Sequence, residues 1–338
     1  MRIAEVATLA TPVSSLGSGS IEAIVWHLAK GMAERGHEVT VFGAAGSTPP
    51  AGVELVPTLP DTYGAEGVPE DWRLCEWENV ARAAAQCDRF DVVHSHSYLL
   101  GLPLEPVCPA PMVHTLHVLP YEDARRLVQL HPGATVTAIS QFQWREFPDV
   151  HPAAVVHHGI DPTAFTFRRQ PDDYVCYLGR FLPVKGVLAA VDAARAVGLP
   201  LRLAGPRDDY FDEEVAPLVD GEAVRYVGTV TGAERDALLG GARALLYPIS
   251  VPEPFGLVLP EAMMCGTPVV ATAVGAVPEL VDDGVTGALV DDPSTLADGI
   301  GRALALERGA VRDRAIARFH VDRMVDGYLR VFEGVAGR

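Results

Sequence analysis

The chain has 338 residues, enough for two domains of ordinary size, and its 49% hydrophobic and 21% charged residues exclude a disordered or fibrous protein. A net charge of -17 excludes an extended nucleic-acid or anionic-membrane surface, which needs clustered Lys and Arg, so any phosphate site must be local. Five scattered cysteines (Cys75, Cys87, Cys108, Cys176, Cys265) contain no C-x-x-C pair; they exclude a disulfide scaffold or zinc finger and point to reduced thiols in a cytoplasmic enzyme.

The N-terminus, MRIAEVATLATPV, is apolar with one basic residue and runs into a glycine loop. It reads as a first strand, Ile3 to Leu9, rather than a signal peptide. No window approaches the roughly 20 apolar residues of a membrane span. After the loop SSLGSGS, the positions Ile21, Ile24, Val25, Leu28 and Met32 mark one face of a helix that Gly36 ends, and Glu38 to Phe42 forms the next strand. The stretch from Ser47 to Asp71 is rich in Pro and Gly and is expected to be a long excursion with few regular elements. Tyr63, Trp72 and Trp77 either form an apolar or sugar-stacking surface or pack the domain's own loop. Short apolar strands follow at Asp91 to His94, Met112 to Leu116 and Val136 to Ile139.

The turn-rich segment Gly159 to Asp173 interrupts this series and is the expected inter-domain boundary. The second half repeats the alternation, with strands at Val175 to Leu178, Leu201 to Ala204, Val224 to Val227, Leu245 to Pro248, Val269 to Ala271 and Ala288 to Val290, and helices at Val187 to Val197 and Ala233 to Leu239. The fold class is therefore α/β, with two doubly wound Rossmann-like domains facing a cleft, where ligands bind at the carboxyl ends of the strands. Their expected extents are 1–162, joined by a terminal helix at about 319–338, and 163–318.

The stretch VPEPFGLVLPEAMMCGTP places Glu253 and Glu261 eight residues apart around Gly256. A strand over Ala242 to Ile249 leads into it, and a helix is expected to open with Pro260 in its first turn and to stop at Gly266. Amides near Phe255, Gly256 and Leu257 suit a phosphate, with Glu261 about five residues into the helix and roughly 7 Å further along. One carboxylate then reaches a transferred sugar and the other a ribose. The plainer alternative is a solvated loop acid and an ordinary first-turn helix acid.

The block PEPFGLVLPEAMMCGTPVVATAVGAVPELVDDGVTGALV resembles the signature of retaining family-4 glycosyltransferases with the two-domain GT-B fold. The motif there is E-x7-E, and the resemblance implies that Glu253 faces the donor sugar while Glu261 binds the ribose of a nucleotide diphosphate. Tyr177 to Gly186 (YLGRFLPVKG) resembles the family's G-R-x-x-x-x-K-G segment, with Gly179 in its turn. Arg180 and Lys185, five residues apart, can converge on one diphosphate and neutralise the leaving group without a divalent metal. An exposed basic pair is the alternative.

Gly17, Gly19 and Ser20 follow the first strand. They match the dinucleotide pattern weakly, since Glu22 stands at its sixth position and the second strand ends in VFGAAG without a ribose-binding acid. The resemblance implies instead that this loop packs on the donor diphosphate, although Ser20 replaces the second glycine of the family's pair; a simple tight turn is the alternative. His94-Ser95-His96 and His114-Thr115-Leu116-His117 together have metal-ligand spacing, yet they resemble the family's DVVHxH and TxH segments, which hold no metal. By that match His117 bonds a donor hydroxyl, while His94 and His96 are structural or line the cleft. His158 stands where the family has Asn in an N-G-V-D turn. Arg318 to Phe332 resembles the helix that crosses back to the first domain.

Together these imply a metal-independent transferase that needs no cofactor. It moves a sugar from a nucleotide diphosphate, a UDP-sugar by family tendency with base contacts near Gly228, Thr229 and Val230, to an acceptor hydroxyl with retention. Front-face substitution is the expected chemistry, since no carboxylate is poised as a nucleophile. The short Ala/Pro/Gly-rich chain is similar to bacterial antibiotic-pathway members of the avilamycin type. Two rivals are a nucleotide-sugar binding protein without turnover and a zinc-dependent hydrolase built on the four histidines.

Overall fold

The computed structural model describes residues 1–15 and 20–337, and of Ser20 the backbone alone. In chain order the elements begin with β1 (Arg2–Val6), α1 (Ser20–Glu34), β2 (Glu38–Ala44), β3 (Glu54–Leu59), α2 (Trp72–Ala84), β4 (Val92–Ser95), β5 (Met112–Thr115), α3 (Glu122–Leu130), β6 (Thr135–Ala138) and β7 (Ala154–Val155). They continue with β8 (Val175–Leu178), α4 (Val187–Ala196), β9 (Leu201–Ala204), β10 (Val224–Gly228), α5 (Gly232–Gly241), β11 (Leu245–Tyr247) and α6 (Val258–Met264). The last are β12 (Val269–Thr272), α7 (Val277–Leu280), β13 (Gly287–Val290), α8 (Leu296–Ala303), α9 (Arg308–Phe319) and α10 (Val321–Ala336).

These elements form two compact units, one of Met1–Gly159 with Val321–Arg338, the other of Ile160–His320. In the first, seven parallel strands run in the order β3-β2-β1-β4-β5-β6-β7. The order reverses between β1 and β4, the kind of switch point where loops splay apart and open a crevice at the strand ends. Ala4, Val6, Phe42, Val80, Phe90, Val93 and Met112 form one buried cluster between this sheet and α2. In the second unit six parallel strands run β10-β9-β8-β11-β12-β13, so the switch point lies between β8 and β11. Its core joins Val175, Tyr177, Leu203, Leu246, Val270 and Ala288 from the strands to Val191 and Ile300 from the helices. Both sheets read as short apolar runs because helices cover both faces.

Three expectations need correction. The excursion from Ser47 to Asp71 contains β3, which pairs with β2 in parallel. Pro57 hid it from a propensity reading; β3 is an edge strand, where a missing N–H leaves no ladder bond broken. The first strand stops at Val6 instead of continuing to Leu9. The final helical stretch is two helices, because His320 leaves the helical region at φ -56°, ψ 135° between α9 and α10.

At that break Ile160 donates its N–H to the Phe319 carbonyl at 2.7 Å, and α10 belongs to the first unit. There Arg35 of α1 pairs with Asp322 at 2.8 Å and Asp326 at 3.0 Å, and the Tyr328 hydroxyl reaches Thr115 Oγ1 at 3.2 Å. No described helix is long and apolar enough to cross a membrane.

Candidate active site

In the second unit the candidate residues collect after the carboxyl ends of β8, β10, β11 and β12. β8 is a buried apolar strand that delivers the chain into Gly179 and the exposed Arg180. Tyr177 turns back from β8, donating its hydroxyl to the Arg180 carbonyl at 2.8 Å and stacking on Phe181. A tight turn then sets Lys185, whose N–H meets the Leu182 carbonyl at 2.9 Å. Gly186 closes the turn at φ 72°, and a Cβ there would lie 2.1 Å from the Pro248 carbonyl oxygen, so only glycine lets the chain pass β11's exit and start α4.

That close passage brings Lys185 to Glu253. The Lys185 ammonium and the Tyr247 hydroxyl, from the end of β11, both contact the Glu253 carboxylate. The Glu253 backbone is fixed in turn by the chain after β12: Ala276 donates its N–H to the Glu253 carbonyl at 3.0 Å. Gly275, at φ 65°, packs so close that a Cβ would sit 2.5 Å from Glu253 N. Burial and the nearby Arg180 guanidinium pull the Lys185 ammonium down to about 8, while its carboxylate contact works in the opposite direction.

Glu261 is the fourth residue of α6, close to the expected depth, and it is buried. Arg235 of α5 pairs with it at 3.1 Å. Burial raises the Glu261 carboxyl and Arg235 holds it back. Pro260 occupies the first turn of α6 as expected, but the helix opens at Val258, so Phe255 and Gly256 lie in the approach loop and Leu257 is the capping residue. Gly228, Thr229 and Val230 leave the end of β10, with the Gly228 carbonyl accepting from Gly205 N–H at 3.1 Å.

The first unit carries the histidines. Glu5, the fourth residue of β1, is fully buried and accepts from His94 Nδ1 at 3.1 Å and from His96 Nε2 at 2.9 Å. His96 Nδ1 lies 2.8 Å from His117 Nε2, and the His117 ring stacks on His158 at 5.2 Å. Burial works to raise the Glu5 carboxyl, but His94 and His96 hold it down at about 2. Burial, and then His94, pulls His96 down to about 4, and burial keeps His117 well below the ordinary histidine value.

His114 departs from the group of four and bonds Glu105 at 2.9 Å. A four-histidine zinc site is therefore not assembled. Ligand atoms of Glu5, His94 and His96 lie within 4.8 Å of one another, and the carboxylate accepts hydrogen bonds from both rings. Gly17 and Gly19 lie outside the described residues, as does the Ser20 side chain; the Ser20 backbone begins α1.

Tyr247, Arg235, Gly275 and Glu5 are the residues that sequence reasoning missed. Glu5 left a visible signal, an acid inside the apolar run Ile3-Ala4-Glu5-Val6. Arg235 sits on a helix whose composition gave no reason to single it out.

Two Rossmann-like units, with this cluster of acids and bases at the strand ends of the second, define the GT-B class of glycosyltransferases. Residues 164–318 match the family described as Glycosyl transferases group 1, and residues 21–164 match Glycosyltransferase Family 4. A D-inositol 3-phosphate glycosyltransferase of Acidothermus cellulolyticus is 30% identical over 98% of this chain and 90% of its own. The crystal structure of AviGT4, a glycosyltransferase involved in avilamycin A biosynthesis, superposes with a TM-score of 0.79 at 26% identity over 99% of this chain and 98% of that one. Anabaena HepE, solved with UDP and glucose, shares the fold with a TM-score of 0.74 at 21% identity over 99% and 100%. The chain belongs to the group 1 glycosyltransferases, and it is a transferase enzyme.

Proposed function

We propose that the protein transfers a sugar from a nucleotide diphosphate, a UDP-sugar, to an acceptor hydroxyl with retention at the anomeric carbon and without a metal. The observation that carries this reading is the Lys185–Glu253–Tyr247 cluster at the β8/β11 switch point. A cation and an acid held side by side at such a crevice suit a ligand with an anionic diphosphate next to a polyhydroxylated sugar. Arg180 and Lys185 stabilise charge on the departing diphosphate, and the amides around Gly256 bind its oxygens.

Glu253 faces the transferred sugar and Glu261 the ribose; Gly179 allows close approach, and Gly228, Thr229 and Val230 border the base. His117 bonds a sugar hydroxyl. The Gly17, Gly19 and Ser20 loop is assigned to the diphosphate on resemblance alone. Leaving-group departure creates an oxocarbenium-like sugar, and a phosphate oxygen takes the acceptor proton as the acceptor oxygen attacks the same face. The bond to the diphosphate breaks as the new glycosidic bond forms.

UDP bound by HepE supports the donor class. The Acidothermus relative, named for D-inositol 3-phosphate, and AviGT4, named for avilamycin A, support a small hydroxyl-bearing acceptor in bacterial glycoconjugate or antibiotic biosynthesis. The test is a thermal-shift screen with UDP, GDP, ADP and TDP, each with magnesium and with EDTA. UDP should raise the unfolding temperature most, and equally in EDTA, because a ligand that binds only the native state stabilises it by mass action. No shift with any nucleotide, or a shift confined to magnesium, contradicts the reading.

A further inference from the structure

The buried network around Glu5 has a direction. A carboxylate can only accept, so the protons of the Glu5 contacts sit on His94 Nδ1 and His96 Nε2. His96 is fully enclosed and neutral, which leaves its Nδ1 with a lone pair. At 2.8 Å from that lone pair, His117 Nε2 must be the donor. The proton of neutral His117 is thereby committed to Nε2, and its Nδ1 becomes an acceptor. Among the described residues that atom is shielded from solvent and has no hydrogen-bond partner.

The second branch does not disturb this order. His94 Nε2 lies 2.8 Å from Thr115 Oγ1, which in turn contacts Thr137 Oγ1 at 2.6 Å and the Tyr328 hydroxyl at 3.2 Å. These hydroxyls can rotate to donate or accept, so either charge state of His94 is accommodated there and the His96 branch keeps its polarity. The His158 ring lies nearly parallel to His117, at 10°, and fixes its plane by stacking.

We propose that Glu5 and His96 are positioning residues for transfer: acting in series, they lock His117 in the Nε2–H tautomer so that its Nδ1 accepts a hydrogen bond from a substrate hydroxyl. The arrangement follows a general logic in which a buried carboxylate orients an imidazole and sets which nitrogen is left basic, here extended through a second ring. An imidazole free to choose its tautomer would present a donor to the same hydroxyl part of the time. The lock makes the site selective for a ligand that offers a proton at that position. The occupant rests on the donor reading above, whereas the tautomer is a property of the free protein.

The test separates the two. Full-length protein labelled with 15N in histidine is examined by long-range 1H–15N correlation NMR near pH 7, and the His117 signals are assigned by their loss in His117→Asn. Wild-type His117 should show an unprotonated Nδ1 and a protonated Nε2. In Glu5→Gln the amide can donate to one imidazole while accepting from the other, so the His96–His117 polarity should reverse in roughly half of the molecules. A wild-type His117 protonated on Nδ1 overturns the proposal, as does a Glu5→Gln protein with an unmoved tautomer. The wild-type spectrum is decisive even where Glu5→Gln fails to fold. Failure of every nucleotide to bind would refute the donor reading and leave the tautomer result standing.

Discussion

Replacing Glu253 by Gln should make UDP bind more tightly while the transfer rate falls. The Lys185 and Glu253 side chains are 17% and 19% exposed and in contact, with the Tyr247 hydroxyl on the same carboxylate. Unit charges about 4 Å apart interact by about 4 kcal/mol at an effective dielectric constant of about 20. Residual exposure and desolvation cut this to about 1–2 kcal/mol. Gln keeps the shape and can still accept from Tyr247, but it releases the ammonium and removes a negative charge beside the proposed diphosphate.

The freed cation should then improve UDP affinity roughly 5- to 30-fold. Calorimetric titration of UDP near pH 7, where Lys185 is charged, measures this, and initial rates with a UDP-sugar measure the loss of turnover. Lys185→Met is the control and should weaken UDP binding. A Glu253→Gln protein that binds UDP as weakly as Lys185→Met would refute the idea that the carboxylate competes with the donor for this cation.

Three further outcomes follow from other parts of the chain. Glu261→Gln, by neutralising the partner of Arg235, should weaken UDP by about tenfold or more, as expected for a lost bond to a charged group; unchanged affinity removes the ribose assignment. Gly186→Ala should destabilise the protein in urea by at least 2 kcal/mol more than Gly198→Ala, by order-of-magnitude estimate. Both sites have φ near +70°, but only at Gly186 does a new Cβ meet a carbonyl, and equal losses would contradict the reading.

The third concerns Glu76 of α2, where burial outweighs hydrogen bonds from Leu9 and Ser97 and pushes the carboxyl up to about 7. Its folded-state value is raised, so the stabilisation from the protonated form is full below about pH 4.5 and disappears as pH rises through about 7. Glu76→Gln should flatten the pH dependence of urea stability between pH 5 and 8, and a profile identical to wild type would exclude Glu76 as its source.

Much of the architecture was legible because the strands are short apolar runs punctuated by Gly and Pro, which parallel sheets buried on both faces require. Arg180, Lys185, Glu253 and Glu261 drew attention as a spacing pattern, and the structure brings two of them, Lys185 and Glu253, into contact; their role toward a diphosphate is part of the proposal. Their partners were not legible. Tyr247 is an unremarkable aromatic at a strand end, Arg235 one cation on a polar helix face, and each acquires meaning only from a contact that tertiary structure makes. β3 was masked by Pro57, whose missing N–H is harmless only at a sheet edge. The chain's break at His320 was invisible because the flanking segments are both helical in pattern. Glu5 is the instructive case: an acid inside an apolar strand was a visible signal that went unread, and its role depends on the return of β4 beside β1 with two histidines.

A nucleotide diphosphate held by the side chains after β8 is the centre of the proposed function. The most direct measurement is titration calorimetry of UDP into the wild type, Arg180→Ala and Lys185→Ala proteins, all in EDTA. Saturable binding by the wild type, weakened tenfold or more in each variant while their urea stability stays within about 1 kcal/mol, is the predicted result. Equal UDP affinity in all three proteins, or wild-type binding abolished by EDTA, would contradict it.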